Sequence, residues 1–127
     1  MKTLTAKNRI SVVISAFNEE AKVEDCLKSA KLVADEIIFV DNGSTDKTSE
    51  IALKFTNKIF NKVNDTVLID TNKNYGFSQA KCDWILSLDA DERISDSLAK
   101  EIKTAIKNKT INGYEIPRKN IIFGKWI

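Results

Sequence analysis

Hydrophobic and polar positions alternate along the chain in blocks of two kinds. "ISVVISAF" (Ile10–Phe17), "EIIFVD" (Glu36–Asp41) and "DWILSLD" (Asp83–Asp89) are nearly unbroken apolar runs rich in β-branched residues. That is the pattern of strands covered on both faces, and Trp84, alternating with core positions, is expected to pack. Between the runs, apolar residues recur at helical spacing. Val23, Leu27, Ala30 and Ala34 do so in "NEEAKVEDCLKSAKLVADE", with Asn18 expected as N-cap and Glu19 and Glu20 in the acid-favoured first turn. After the turn "NGSTD", in which Asp46 is a second capping candidate, a helix is expected over Lys47–Phe55, then a short strand in "NKIFNK". Val63–Asn74 is polar and carries no clear period; "GFSQAKC" is expected to continue a short helix begun near Lys73. Leu98, Ile102, Ala105 and Ile106 line one face of "SDSLAKEIKTAIKN", with Ser95 as N-cap. "NGYEIPRKN" reads as a turn into one more strand with Pro117 near its end, and "IIFGKWI" follows as an apolar tail.

Strand and helix thus alternate throughout. The expected fold class is α/β: a Rossmann-like open, mostly parallel sheet with helices on both faces, joined by right-handed crossovers. The chain's 127 residues are enough for one domain with one core, and a single domain over residues 1–127 is expected. In such sheets ligands bind beyond the carboxyl ends of the strands. The loops Phe17–Glu20, Asp41–Asp46 and Asp89–Arg93 all start there, and all are acidic. They are expected to converge on one rim.

Composition narrows the chemistry. The net charge of +2 does not call for a nucleic-acid partner. There is no histidine, and the two cysteines, Cys26 and Cys82, lie far apart, so a zinc site is not expected and both should be free thiols. Acid–base or metal work must then fall to carboxylates, which suit magnesium or manganese. "SLDADERIS" crowds Asp89, Asp91 and Glu92 at the end of a buried strand, where their repulsion gains nothing from packing unless a cation is bound. Glu92 and Arg93 could form a local ion pair, and Arg93 is the one basic group beside the acids in sequence. Capping alone could explain Asn18, Asp46 and Ser95; it accounts less well for Asp41, Asp89 and Asp91. No GxGxxG follows the first strand and no GxxxxGK[ST] occurs, which excludes an ordinary dinucleotide fold and a P-loop. A metal held by one or two carboxylates usually completes its shell with water and phosphate, so a nucleoside diphosphate is the expected ligand.

"VVISAFNEE", "IIFVDNGSTDKT" and "DWILSLDADE", in that order and spacing, resemble the nucleotide-binding half of glycosyltransferase family 2. "NKNYGFSQAKCDW" and "NGYEIPRKNIIFGKW" are similar to the branch that contains lipopolysaccharide-core glucosyltransferases. The resemblance implies the glycosyltransferase A fold and an inverting transfer from a nucleotide-sugar, a UDP-sugar by preference, to a glycan or lipid-linked acceptor, with Mn2+ or Mg2+ as cofactor. It implies that Ser15, Phe17 and Glu19 hold the nucleoside, with the Phe17 ring against the base. Asp41 would contact base or ribose, Lys73 and Asn74 would border the nucleotide, Asp89 would lie near the ribose, and Asp91 would ligate the metal.

Family members run on past this length, and their general base lies in the later part. Glu115, the one acid after Glu101, is a poor substitute on a predicted strand. The expectation is a truncated donor half, residues 1–127, with the acceptor half and the catalytic base beyond Ile127. An alternative from another class is a non-catalytic nucleotide-binding or interaction module, self-associating through an open sheet edge or the apolar C-terminal tail. "MKTLTAKNR" lacks the apolar core of a signal peptide and no run is long enough to span a membrane, so a cytoplasmic location is expected, or a peripheral one at the inner membrane face.

Overall fold

The three long apolar runs become the centre of one sheet. In the computed structural model, which describes residues 8–65, 69–108, 110–116 and 121–125, they are β1 (Ile10–Ala16), β2 (Glu36–Asp41) and β4 (Trp84–Asp89). β3 (Ile59–Asn61) adds to the β2 side, and β5 (Gly113–Ile116) and β6 (Ile121–Lys125) complete the order β3-β2-β1-β4-β6-β5. β1 to β4 are mutually parallel, whereas β6 runs antiparallel to both β4 and β5. The sheet is therefore open and mostly parallel, as the pattern predicts.

Side-chain alternation assigns the two faces. Ile10, Val12, Ile14, Ile37, Phe39, Trp84, Leu86 and Leu88 form one large core cluster with Val23, Cys26, Leu27 and Ala30 of α1 (Val23–Ala30), Ala52 of α2 (Thr48–Ala52) and Ala99 and Ile102 of α4 (Asp96–Ala105). Val13, Ile38, Val40 and Ile85 face the other way, toward Phe77 of α3 (Ile69–Ser78). α3 sits close to the sheet at Gly76, where a Cβ would come within 2.8 Å of both Val13 Cγ1 and Val40 Cγ2. Trp84 is fully buried, as expected. None of the described helices is long and apolar enough to cross a membrane.

Several boundaries differ from the sequence expectation, each for a local reason. α1 starts at Val23, not after Asn18; the Glu19 and Glu20 amides donate instead to Thr48 Oγ1 at the start of α2 and to Asp46 Oδ2 in the loop before it. Asn18 caps nothing in α1; it adopts φ 50°, a left-handed conformation that asparagine tolerates. Asp46 lies one residue before the N-cap position of α2, yet its Oδ1 accepts from the Thr48 amide at 2.9 Å and so serves the first turn. Ser95 is the N-cap of α4, accepting from Leu98 N at 3.1 Å. α2 stops at Ala52, three residues short of Phe55. α3 begins at Ile69, before Lys73, and ends at Ser78.

The C-terminal expectation of one strand and a free tail is corrected. Residues 121–125 form β6, hydrogen-bonded to β4 on one side and β5 on the other, so the backbone of "IIFGK" lies inside the sheet rather than at its edge. The open edges of the sheet are β3 and β5. Pro117 and the last two residues of the tail lie outside the described residues.

Candidate functional site

Parallel register carries the ends of β1, β2 and β4 to one rim. Ser15 pairs with Val40 on one side and Asp89 on the other, and Ala16 pairs with Asp41. The loops that leave these ends are tied together. Asn18 N donates to Ser44 Oγ at 2.8 Å, Thr45 N to Asn18 Oδ1 at 2.8 Å, Glu19 N to Thr48 Oγ1 at 2.9 Å, and Lys47 N to Glu20 Oε1 at 3.3 Å. The third loop joins them through Ala90 N, which donates to Ser15 O at 3.2 Å. Gly43 turns the second loop at φ +85°; a Cβ there would also stand 3.1 Å from Asn64 N. The three acidic loops thus converge as expected.

Asp41 and Asp89 leave the sheet on opposite faces, because their strands end one residue out of step. Asp41, only 2% exposed, turns toward α2: one carboxylate oxygen accepts from Ser44 N at 2.9 Å and the other from the Ser49 hydroxyl. The structure places it under the second loop. Asp89 turns toward α3, where Lys73 Nζ lies 3.2 Å from its Oδ1. Sequence proximity pointed to Arg93 as the nearby cation, but Arg93 Nη1 reaches back to Asp25 Oδ2 of α1 at 3.6 Å. Glu92 does not pair with Arg93 either; its Oε1 accepts from the Asp89 amide at 2.9 Å. Burial, reinforced by the neighbouring Asp89 and Asp91 charges, raises the Glu92 pKa despite that bond. Asp91 is exposed, and its carboxylate has no partner among the described residues. Cys26 lies below the loop with Sγ 3.6 Å from Asp89 O; burial and the three acids push its thiol up to about 12, so it stays protonated. Both cysteines are free, as expected.

Phe17 is 41% exposed at the start of the first loop, so its ring is available at the rim and is not a core side chain. Glu19 is half-buried and Asn74 is exposed. Ser15 is met by Asn42, and Asn42 in turn by Asn72, neither of which the sequence singles out. Asn42 Nδ2 donates to Ser15 Oγ at 2.9 Å, and Asn42 Oδ1 accepts from Asn72 Nδ2 at 2.9 Å. Both amides are buried, and a polar side chain just past a strand's end is the signal that could have flagged Asn42. On the other flank Lys62 Nζ sits 3.5 Å over the Tyr75 ring, which meets Phe60 edge-on at 5.3 Å.

Among the described residues no group of three or more acids or cysteines is gathered so as to hold a metal unaided. The donor set is hard oxygen, with Asp91 free and Asp89 beside it. It fits a divalent cation that takes one or two carboxylates from the protein and the rest of its shell from phosphate and water. Two surface clefts around Lys31, Ala34 and Asp35 lie at the opposite end of the sheet and contain none of these groups.

Comparison with known proteins bears on this site. The family model described as "Glycosyl transferase family 2" matches residues 11–126. An uncharacterized glycosyltransferase of Rickettsia bellii is 37% identical over 106 residues, covering 84% of this chain and 35% of that protein. The chain spans about a third of the length of the curated relatives it matches. Among solved structures, the mannosyltransferase PcManGT from Pyrobaculum calidifontis, in complex with GDP-Man and Mn2+, superposes with a TM-score of 0.73 at 17% identity, over 92% of this chain and 44% of that one. Glucosyl-3-phosphoglycerate synthase from Mycobacterium tuberculosis, in complex with Mn2+, UDP and glucosyl-3-phosphoglycerate, gives 0.67 at 21% identity, over 90% and 45%. At these identities the two structures establish the fold alone, an open α/β sheet of the glycosyltransferase A type.

Proposed function

The chain belongs to glycosyltransferase family 2, and on that premise we propose that its 127 residues form the donor side of an inverting, metal-assisted transferase that uses a nucleoside-diphosphate sugar. One observation carries the reading: an exposed aromatic ring, a lysine–aspartate pair and an unpartnered aspartate converge on one rim of the sheet.

Each group has a part. The Phe17 ring lies against the base, with Ser15 and Glu19 beside it. Asp41 forms the floor of the nucleoside loop and offers its remaining lone pairs to base or ribose. Asp89 faces the ribose, and Lys73 and Asn74 border the diphosphate. Asp91, with Asp89 next to it, would hold Mn2+ or Mg2+, and the bound ion would supply Lewis-acid neutralisation of the charge on a departing diphosphate. UDP is the preferred donor nucleotide by resemblance. The GDP-Man complex of a fold neighbour makes GDP the comparison to run beside it. A glycan or lipid-linked acceptor, in lipopolysaccharide or other cell-surface glycan synthesis, follows from the same resemblance.

The test is calorimetric titration of the chain with UDP and GDP, with and without Mn2+. Tighter binding with the metal is expected, and Asp91→Asn should abolish that gain while the fold and the weak metal-free binding survive. Equal affinity with and without metal in the native protein would overturn the metal assignment. Absence of binding by either nucleotide would overturn the donor site.

A further inference from the structure

The buried amides of Asn42 and Asn72 are not used in the donor reading, yet their hydrogen bonds form one chain that ends at Ser15. The Val63 carbonyl can only accept, so the Asn72 group facing it must be the amide NH2; Asn72 Nδ2 lies 3.3 Å from Val63 O. The same NH2 donates to Asn42 Oδ1 at 2.9 Å. That contact fixes Asn42 with its oxygen inward and its NH2 toward Ser15, where Nδ2 lies 2.9 Å from Oγ. Ser15 Oγ therefore accepts from below. Its own proton has no acceptor among the described residues, and the residue is half-buried, one position before the end of β1. Reversing the chain would set the buried Asn72 carbonyl oxygen against the Val63 carbonyl oxygen in a partly buried contact, which is unfavourable.

We infer that Asn72 and Asn42 are positioning residues that fix the Ser15 hydroxyl as an outward hydrogen-bond donor, so that the ligand atom meeting Ser15 is an oxygen acceptor on the nucleoside. The inference rests on the donor-site reading above. It adds a polarity preference to that reading: an acceptor at this point meets the free Ser15 proton, whereas a ligand N–H would have to take the second Oγ lone pair and leave that proton without a protein or ligand partner.

Asn72→Asp tests the preference with almost no change of shape. A carboxylate cannot donate, so Asn42 turns its NH2 inward and its oxygen toward Ser15, and the Ser15 proton is drawn into the protein. Affinity for whichever of UDP and GDP binds the native chain should fall about three- to tenfold, the loss of one hydrogen bond. Ser15→Ala should lose about as much, and the double variant no more than either, since one interaction cannot be lost twice. A merely structural role for Asn72 would instead add its loss to that of Ser15→Ala. A second readout does not depend on Asn72→Asp folding: the Asn42 side-chain NH2 resonance of the native protein should move on nucleotide binding, and should not move in Ser15→Ala. Additive losses, or an Asn42 signal that responds equally with and without the Ser15 hydroxyl, would overturn the relay and leave the donor site standing. Failure of the native chain to bind either nucleotide would bring down the donor site itself, and the relay with it.

Discussion

Lys73 is half-buried on α3, and its role is set by a residue sixteen positions away, Asp89 on β4. The pair is partly solvated, so it adds little to stability; exposed pairs are worth about 0–1 kcal/mol. Its value lies in holding a positive charge beside the acids. Lys73→Met should leave the melting temperature nearly unchanged while lowering nucleoside-diphosphate affinity by roughly tenfold, the loss of one charge-assisted contact; an unchanged affinity would assign Lys73 to the surface only. Glu36 is the contrasting acid. Its side chain is 6% exposed, and it accepts from Ser11 Oγ at 2.5 Å and Lys81 N at 2.8 Å and pairs with Lys58 Nζ at 2.5 Å. Burial works to raise its pKa, but the bonds from Lys58, Ser11 and Lys81 outweigh it and hold the pKa below the ordinary value. A carboxylate depressed on folding stabilises the protein above its unfolded pKa of about 4.3, and that contribution is lost as pH falls through the lower folded value. Glu36→Gln should therefore cost about 1–2 kcal/mol in denaturant unfolding at pH 7, with the difference from the native protein shrinking toward zero as the pH is lowered below the carboxylate range.

At the scale of elements, the position of α3 governs the site, since it delivers both Asn72 and Lys73. Gly76 lets it approach the sheet. Gly76→Ala would gain up to about 1 kcal/mol of helix propensity, but its methyl would meet Val13 and Val40 at 2.8 Å. Both contacts are β-branched core side chains with little room to yield, and overpacking typically costs about 1–3 kcal/mol. The expected outcome is a net loss of stability together with weaker nucleotide binding, as α3 is lifted off the rim. Val13→Ala in the Gly76→Ala background should restore part of the binding, which a titration of the double variant would detect. The β5–β6 hairpin is the other element-scale finding: the segment read from sequence as an apolar tail supplies β6, which lies between β4 and β5.

For the whole molecule, the two faces divide the labour. The larger cluster, shared by α1, α2 and α4, is the structural core, and the smaller one under α3 lies beneath the candidate site. A ligand that binds only the folded chain stabilises it by mass action. UDP or GDP at a hundred times its dissociation constant, with Mn2+ present, should add about 2.7 kcal/mol to unfolding and raise the melting temperature by several degrees. The shift should be small in Asp91→Asn with the metal present. A melting temperature that nucleotide and metal together leave unmoved would argue against a preformed rim.

The sequence by itself determined the fold class and the location of the rim. Unbroken β-branched runs are recognisable without partners because a strand buried on both faces has no polar alternation to lose, and acids at the ends of such runs stand out. Ser95 was equally legible, since an N-cap bonds three residues along its own chain. What only the tertiary structure decided is how the side chains on that rim are partnered. Arg93 turns to Asp25 of α1, Lys73 comes to Asp89 from the opposite face, and Asn18 braces a loop twenty-seven residues on instead of capping its own helix. The Ser15–Asn42–Asn72 chain joins residues 27 and 30 positions apart. Such contacts depend on register and on which face a strand's last residue takes. A shift of one residue, as between Asp41 and Asp89, reverses that face without leaving a trace in composition or period.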